Sequence, residues 1–366
     1  MLNKDVLLTG LMAASGGRLV VKYNAAGDPS VMVRIPKFNL EDIDASLGTG
    51  PHPAFIVNGV VKNEIFIGAF PAILENGCAV SIPGQTPRVN INFDNAKAAC
   101  VANGPGWHLM TAWEWAAIAL WCMKNDFQPR GNTQWGRAYE AAWETGVRPD
   151  GGNPGAASGD GKTLTGSGPV SWRHDNTLAG IADLVGNVFE WNDGLKLVDG
   201  RLYFPTDNYY SQPESEWPAS SLCFDASAGP GDRSGAAQSG APILSNAITK
   251  YSETPAPAGG GDTGEFDYAN VASWKSVAVA SGYDNLPQAA RQQAAQLLIA
   301  PKLTSEGTAL FTDIKGYLSV RNYGTRFPLR GGAYYVTSSA GLGALSLSTL
   351  SAILSYSVGF RPAFIL

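Results

Sequence analysis

The densest run of chemistry-bearing side chains is "GIADLVGNVFEWNDG" (Gly180–Gly194), in which Asp183, Asn187, Glu190, Asn192 and Asp193 fall close together beside glycines that free backbone carbonyls. Clustered hard oxygen donors suit Ca²⁺, with Asn187 and Glu190 as ligands of a structural ion. The same side chains also suit hydrogen bonds to loop backbone, and spacing alone does not separate the two readings. Other chemistry is sparse. His52, His108 and His174 stand far apart and form no metal-binding pattern, and Cys78, Cys100, Cys122 and Cys223 contain no CxxC pair, although a disulfide between two of them stays open. There is no Gly-x-Ser-x-Gly elbow, no P-loop and no dinucleotide fingerprint after a strand. The carboxylates of "NLEDID" (Asn39–Asp44) read as a solvated turn, and none of these patterns requires a cofactor.

A second constellation is defined by what it omits. "RGGAYYVTSSAGLGALSLSTLSAILSYSVGFRP" runs from Arg330 to Pro362, and between Arg330 and Arg361 it has no charged residue, His, Gln, Met or Trp. Tyr335, Val336, Ile353, Leu354 and Tyr356 are interspersed with serines in a rhythm that fits neither a helix nor an alternating strand. Serine and tyrosine are favoured on adaptable binding surfaces, because tyrosine offers a large contact area at low entropy cost. An ordinary strand pair in a core is the competing reading. The two arginines are expected to hold the ends of the run through charge-assisted hydrogen bonds to backbone or carboxylates.

The elements that must position these residues can be read coarsely. The chain has 366 residues, a net charge of -5, 43 glycines and 23 prolines, enough for one large core or two ordinary ones with many turns. The acidic balance and the lack of a Lys/Arg cluster exclude a nucleic-acid partner, and no apolar run is long enough for membrane insertion as a spanning helix. The N-terminal apolar stretch makes a poor signal peptide, being broken by Thr9 and Gly10 and carrying Asp5. Strands are expected in Leu19–Pro36 around an Ala-Gly-Asp-Pro turn, and in Pro53–Leu74 around Asn58-Gly59. Helices are expected in Asn92–Gly104, with Ala96, Ala99, Cys100 and Val101 on one face, in Thr111–Asp126 and in Asn285–Pro301. Thr111 and Glu114 spell a capping box, and Trp107, Trp113, Trp115 and Trp121 nearby read as core. Gly131–Gly168 and Tyr209–Gly264 read as loop, with a flexible turn at Pro255–Gly264. The fold class that results is α+β, with few helices, short strands and long ordered loops.

Four motifs in order give a resemblance. "GWHLMTAWEWAAIALW" (Gly106–Trp121), "GIADLVGNVFEWNDG", "LRGGAYY" (Leu329–Tyr335) and "VGFRPAF" (Val358–Phe364) resemble the motifs of the formylglycine-generating-enzyme (sulfatase-modifying factor) domain, a variant of the C-type lectin fold. Met110-Thr111-Ala112 departs from the family's usual Pro-Thr-Glu. The resemblance covers residues 53–366 and leaves 1–52 as an attachment segment or extra strands of the same domain. Catalytic members of that family use cysteines near the C-terminal end of the domain, whereas here none follows Cys223. The related iron sulfoxide synthases need a histidine cluster that three scattered histidines do not supply. An enzyme is therefore not expected. Trp191-Asn192-Asp193 is similar to the calcium-binding triplet of sugar-binding C-type lectins, but the only near match to their partner motif, Gln212-Pro213-Glu214, comes after it instead of before.

The closing run itself resembles the variable region, here 331–362, of proteins diversified by retroelements that mutagenise template adenines. Template Asn codons (AAY) then become NNY, which cannot encode Lys, Glu, Gln, Met or Trp, and none of these occurs from Ala333 to Ser357. Laying the pattern G-G-N-W-x-N-x-x-N-A-G…N-W-N-N…S-N-S-x-N-I-G on the chain without gaps assigns ligand-binding positions to Ala333, Tyr335, Val336, Ser339, Ser346, Ser348, Thr349, Ile353, Ser355 and Ser357, with Leu354 and Tyr356 as additions. The fixed framework is then Gly331, Gly332, Tyr334, Ala340, Gly341, Ala344, Leu345, Leu347, Val358, Gly359, Phe360 and Arg361. The resemblance implies a non-enzymatic protein that binds a cell-surface protein or glycan receptor. The virion surface, such as a phage tail tip, is the expected location, and the surface of a prokaryotic cell is the alternative.

Overall fold

The computed structural model describes residues 2–225, 243–247, 269–274, 277–321 and 324–366, so the turn expected at Pro255–Gly264 lies outside the described residues. The fold is mixed α and β, with few helices and mostly sheet. Its best-specified helix is Ala112–Lys124. The Thr111 hydroxyl accepts the Glu114 N–H at 3.2 Å and the Glu114 carboxylate accepts the Thr111 N–H at 2.9 Å, which closes the capping box. Ten of its side chains are buried, Ala112 through Leu120 and Cys122, as its nearly all-round apolar surface predicts. The Trp113 indole donates to the Pro205 carbonyl (3.2 Å) and the Trp115 indole to the Leu342 carbonyl (3.0 Å), so the helix ties directly into the closing run. Trp107, Trp113 and Trp115 are core as expected, whereas Trp121 is only half-buried.

Two main sheets surround this helix. The smaller has the strand order Leu19–Tyr23, Pro29–Pro36, Glu64–Gly68, Pro362–Phe364, Trp107–Leu109, antiparallel throughout. Residues 19–36 therefore add two strands to the sheet that holds the last strand of the chain, preceded by a helix at Leu2–Ala14. The larger sheet is centred on Thr325–Gly331, which pairs with Gly341–Thr349, Lys196–Val198 and Phe189–Trp191. Val358–Phe360 joins it by a parallel pairing with Phe189–Trp191. The chain thus passes from one sheet to the other at a single residue, Arg361, between Phe360 and Pro362.

Several local expectations differ in detail. The Asn58-Gly59 turn forms with left-handed φ at both residues (48° and 74°), as a two-residue hairpin turn requires. The strands it joins are only Ile56–Val57 and Val60–Val61, and the next strand, Glu64–Gly68, leaves for the small sheet. In the Phe93–Val101 helix Ala96, Ala99 and Cys100 are buried but Val101 is exposed. The Gln288–Gln296 helix is shorter than Asn285–Pro301, because Pro287 caps it from outside and Leu298 turns left-handed (φ 52°). Tyr209–Gly264 is not all loop. It contains the strands Ala219–Asp225 and Ile243–Ser245, which pair with each other.

His52 is a core histidine. Its Nδ1 accepts the Ala54 N–H (3.1 Å), which leaves Nε2–H to donate to the Gln296 carbonyl (3.3 Å). Burial pushes its pKa down to about 4. The folded value thus lies below the unfolded one, so the unfolded chain binds the extra proton and stability falls as pH drops through the interval between them. By pH 5 this one group should remove about 2 kcal/mol relative to pH 7, taking an unfolded value of about 6.5. Urea unfolding at both pH values is expected to show a pH-dependent loss smaller by about that amount in His52→Gln, whose side chain does not titrate.

Candidate functional site

The closing run is anchored at both ends by buried guanidinium groups. Arg361 is fully buried, and its Nε and Nη2 donate to the two oxygens of Glu190 at 2.9 and 2.6 Å. Nη1 donates to the Gly68 carbonyl (2.8 Å) and Nη2 also to the Ala182 carbonyl (2.9 Å). One side chain therefore links Glu64–Gly68 of the small sheet to Phe189–Trp191 of the large one. Arg330 is equally buried and donates to the carbonyls of Leu297 (3.0 Å) and Leu298 (3.4 Å). Desolvation pushes its pKa down, to about 9. The expected clamps form, one on a carboxylate and backbone and the other on backbone carbonyls.

Between the clamps the residues separate by burial. Every framework position is buried: Gly331, Gly332, Tyr334, Ala340, Gly341, Ala344, Leu345, Leu347, Val358, Gly359, Phe360 and Arg361. Gly331 (φ 83°) shows why a side chain is excluded there, since a Cβ would meet the Leu184 carbonyl oxygen at 2.3 Å. Of the expected ligand-binding positions, Leu354 (62% exposed), Tyr356 (58%), Ile353 (42%) and Tyr335 (39%) face solvent. Val336, Ser339, Ser346, Ser348, Thr349 and Ser355 are half-buried. Two expected positions do not face solvent: Ala333 (0%) and Ser357 (2%) are buried, the former two residues beyond Thr325–Gly331 and the latter immediately before Val358–Phe360. Ser357 still contributes from below, its hydroxyl lying 3.1 Å from both the Tyr335 hydroxyl and the Ser355 hydroxyl.

The exposed and half-buried positions fall mainly into two groups. In one, Tyr335 and Tyr356 approach with ring centroids 6.5 Å apart, the Tyr335 hydroxyl meets the Ser357 hydroxyl, and Leu350, Ile353 and Leu354 are exposed on the stretch that leads to Tyr356. In the other, Ser346 and Ser348 project from the outer face of Gly341–Thr349, bonded to each other at 2.9 Å, while Leu345 and Leu347 point inward. Val336 precedes the short helical turn Thr337–Ser339 and lies over Gly332, and Ser339 is the last residue of that turn.

The irregular 131–168 segment supports the first group. Trp135 donates its backbone N–H to the Tyr334 carbonyl (2.7 Å) and meets the Tyr334 ring edge-on at 5.0 Å, and Tyr334 in turn meets Tyr335 at 5.1 Å. Thr337 N–H donates to the Thr133 carbonyl (3.0 Å), and the Lys162 ammonium donates to the Tyr356 carbonyl (3.4 Å) while paired with Asp160 (2.7 Å). Sequence reasoning missed Trp135, Lys162 and the exposed Leu350. The first two lie far away in a Gly-rich stretch that gives no sign of where it docks.

The oxygen-rich stretch resolves into separate contacts. Asn187 (φ 62°) accepts the Thr163 N–H with Oδ1 (2.8 Å) and donates to the Thr163 carbonyl (3.1 Å). Both Glu190 oxygens hold Arg361, Asp183 accepts the Gly166 N–H (2.7 Å), and Asp193 pairs with Lys97 (2.9 Å). Asn192 donates to the Trp191 carbonyl (3.1 Å). A Ca²⁺ ion on Asn187 and Glu190 does not fit this arrangement, because the position between the Glu190 oxygens is taken by a guanidinium. Among the described residues no group of His, Cys, Asp and Glu is placed to hold a metal. Excess EDTA is therefore expected to leave the melting temperature unchanged, whereas a fall would mean that a bound ion stabilises the fold.

The four cysteines are free and buried, which closes the disulfide option. Burial pushes the thiols of Cys100 and Cys122 up, away from the reactive thiolate. No known protein family matches the chain, and no curated protein matches it.

Proposed function

We propose that this is a non-enzymatic binding protein built on the C-type lectin fold of the formylglycine-generating-enzyme type. Residues 335–356 would display a diversified surface toward a protein or glycan receptor on another cell. The observation that carries the reading is the burial split within one short segment. Positions assigned to the framework are all buried, and positions assigned to diversification are exposed or half-buried except Ala333 and Ser357. A surface that must tolerate many sequences cannot depend on its variable side chains for stability, so its support has to come from fixed residues. Here that support is the buried helix through the Trp115–Leu342 bond, the two arginine clamps and the 131–168 segment. The absence of charge from the run leaves recognition to tyrosine, aliphatic and hydroxyl contacts. A virion tail tip is the proposed location.

Sequencing the DNA around the gene tests the diversification directly. The expected result is a near-copy of the codons for 331–362, differing only at adenines, beside a reverse transcriptase gene. A flank without such a copy would remove the diversification from the proposal and leave an invariant binding surface.

A further inference from the structure

A cavity lies away from the closing run, between the end of the N-terminal helix, the Pro29–Pro36 strand and the Ala112–Lys124 helix. Its volume is about 540 Å³, within the range of roughly 300–1,000 Å³ typical of small-molecule sites. The walls are apolar, formed by Val33, Ile35, Ile118 and Ala179, with the half-buried Trp121 ring exposed along one side. One wall carries a polar group that the fold leaves available. His174 is buried, and its Nδ1 accepts the Ile181 N–H at 2.8 Å, so in the neutral ring the proton sits on Nε2. Burial keeps the ring neutral by pushing its pKa down. The ring tilts against Trp121 with centroids 5.5 Å apart.

The mouth carries charge. Arg18 lines it and pairs with Asp175 at 2.8 Å. Asp175 is further occupied by the N–H (3.0 Å) and hydroxyl (2.9 Å) of Thr177, so its negative charge is spread over several donors. Arg34, the other cation at the rim, pairs with Glu64 at 3.2 Å. An Arg side chain that is half-exposed can also turn toward an incoming anion without breaking into the core.

We propose that this cavity binds a small anionic amphiphile, an aromatic or short acyl carboxylate or its sulfonate analogue. The apolar body packs against Trp121 and Ile118, and the head group takes hydrogen bonds from His174 Nε2–H and Arg18. The site is independent of the diversified surface and does not rest on that reading.

The test uses 1-anilinonaphthalene-8-sulfonate, whose emission rises when its apolar rings leave water. Titration of the full chain is expected to give saturable binding to one site. Ile118→Phe, which fills the cavity, and Arg18→Glu, which places a second anion at the mouth, should each weaken binding roughly ten-fold or more, the equivalent of about 1.4 kcal/mol. Arg18 has a half-exposed side chain, so that variant keeps the test valid if Ile118→Phe fails to fold. A variant changed at Tyr335, Ser348, Ile353 and Tyr356 should bind the probe as the parent does. Unsaturable binding overturns the proposal. So does binding unaffected by Arg18→Glu but lost in the four-position variant, since the probe would then sit on the exposed apolar surface.

Discussion

Arg361→Ala is expected to destabilise the protein by about 3–5 kcal/mol, the range for breaking a buried ion pair from one side. The loss comes chiefly from what stays behind. Glu190 would remain fully buried with neither oxygen paired to its cation, and the Gly68 and Ala182 carbonyls would each lose a donor. Because Arg361 is the residue at which the chain changes sheets, the damage should be felt in both. Glu190→Gln, which keeps the shape and one acceptor, should cost less than Arg361→Ala. Replacing both residues together should cost less than the sum of the single changes, because the second change removes a charge already stranded by the first. Chemical unfolding of the three variants checks the order. An Arg361→Ala loss under 1 kcal/mol would mean that water reaches the site and that the clamp is not structural.

Phe360→Ala is expected to cost a further large amount by a different route. Phe360 is fully buried in a cluster with Phe93, Trp191, Phe327 and Leu329, and removing its ring leaves a cavity among rigid aromatic neighbours. Such truncations cost about 3–5 kcal/mol.

How far the sequence could be read depended on whether a signal was local. The Thr111–Glu114 box names both partners of a contact three residues apart, and the helix begins where it says. The arginine clamps were legible as charges bounding an uncharged run, although Glu190 was legible only as a carboxylate. Its partner lies 171 residues away, so the stretch by itself does not show what the Glu190 oxygens hold. Ala219–Asp225 carries little strand signal because its first residues are small and polar, and only Leu222, Cys223 and Phe224 are buried there. The strand forms through pairing with Arg201–Tyr203 across a register shift, which is a tertiary event. Ala333 and Ser357 are buried against expectation for a related reason. A codon pattern records how a residue arises, whereas burial depends on where the chain turns.

The central claim is that the exposed positions between the two arginines recognise a partner and contribute little to the fold. Its most direct test is the unfolding free energy of a single variant changed at Tyr335, Ser348, Ile353 and Tyr356, measured beside Phe360→Ala. Surface changes typically stay within about 0.5 kcal/mol each, so the combined variant should lose no more than about 2 kcal/mol and retain a cooperative transition. Phe360→Ala should lose clearly more. A four-position variant that loses as much stability as Phe360→Ala would make the segment part of the core and contradict the binding-surface account.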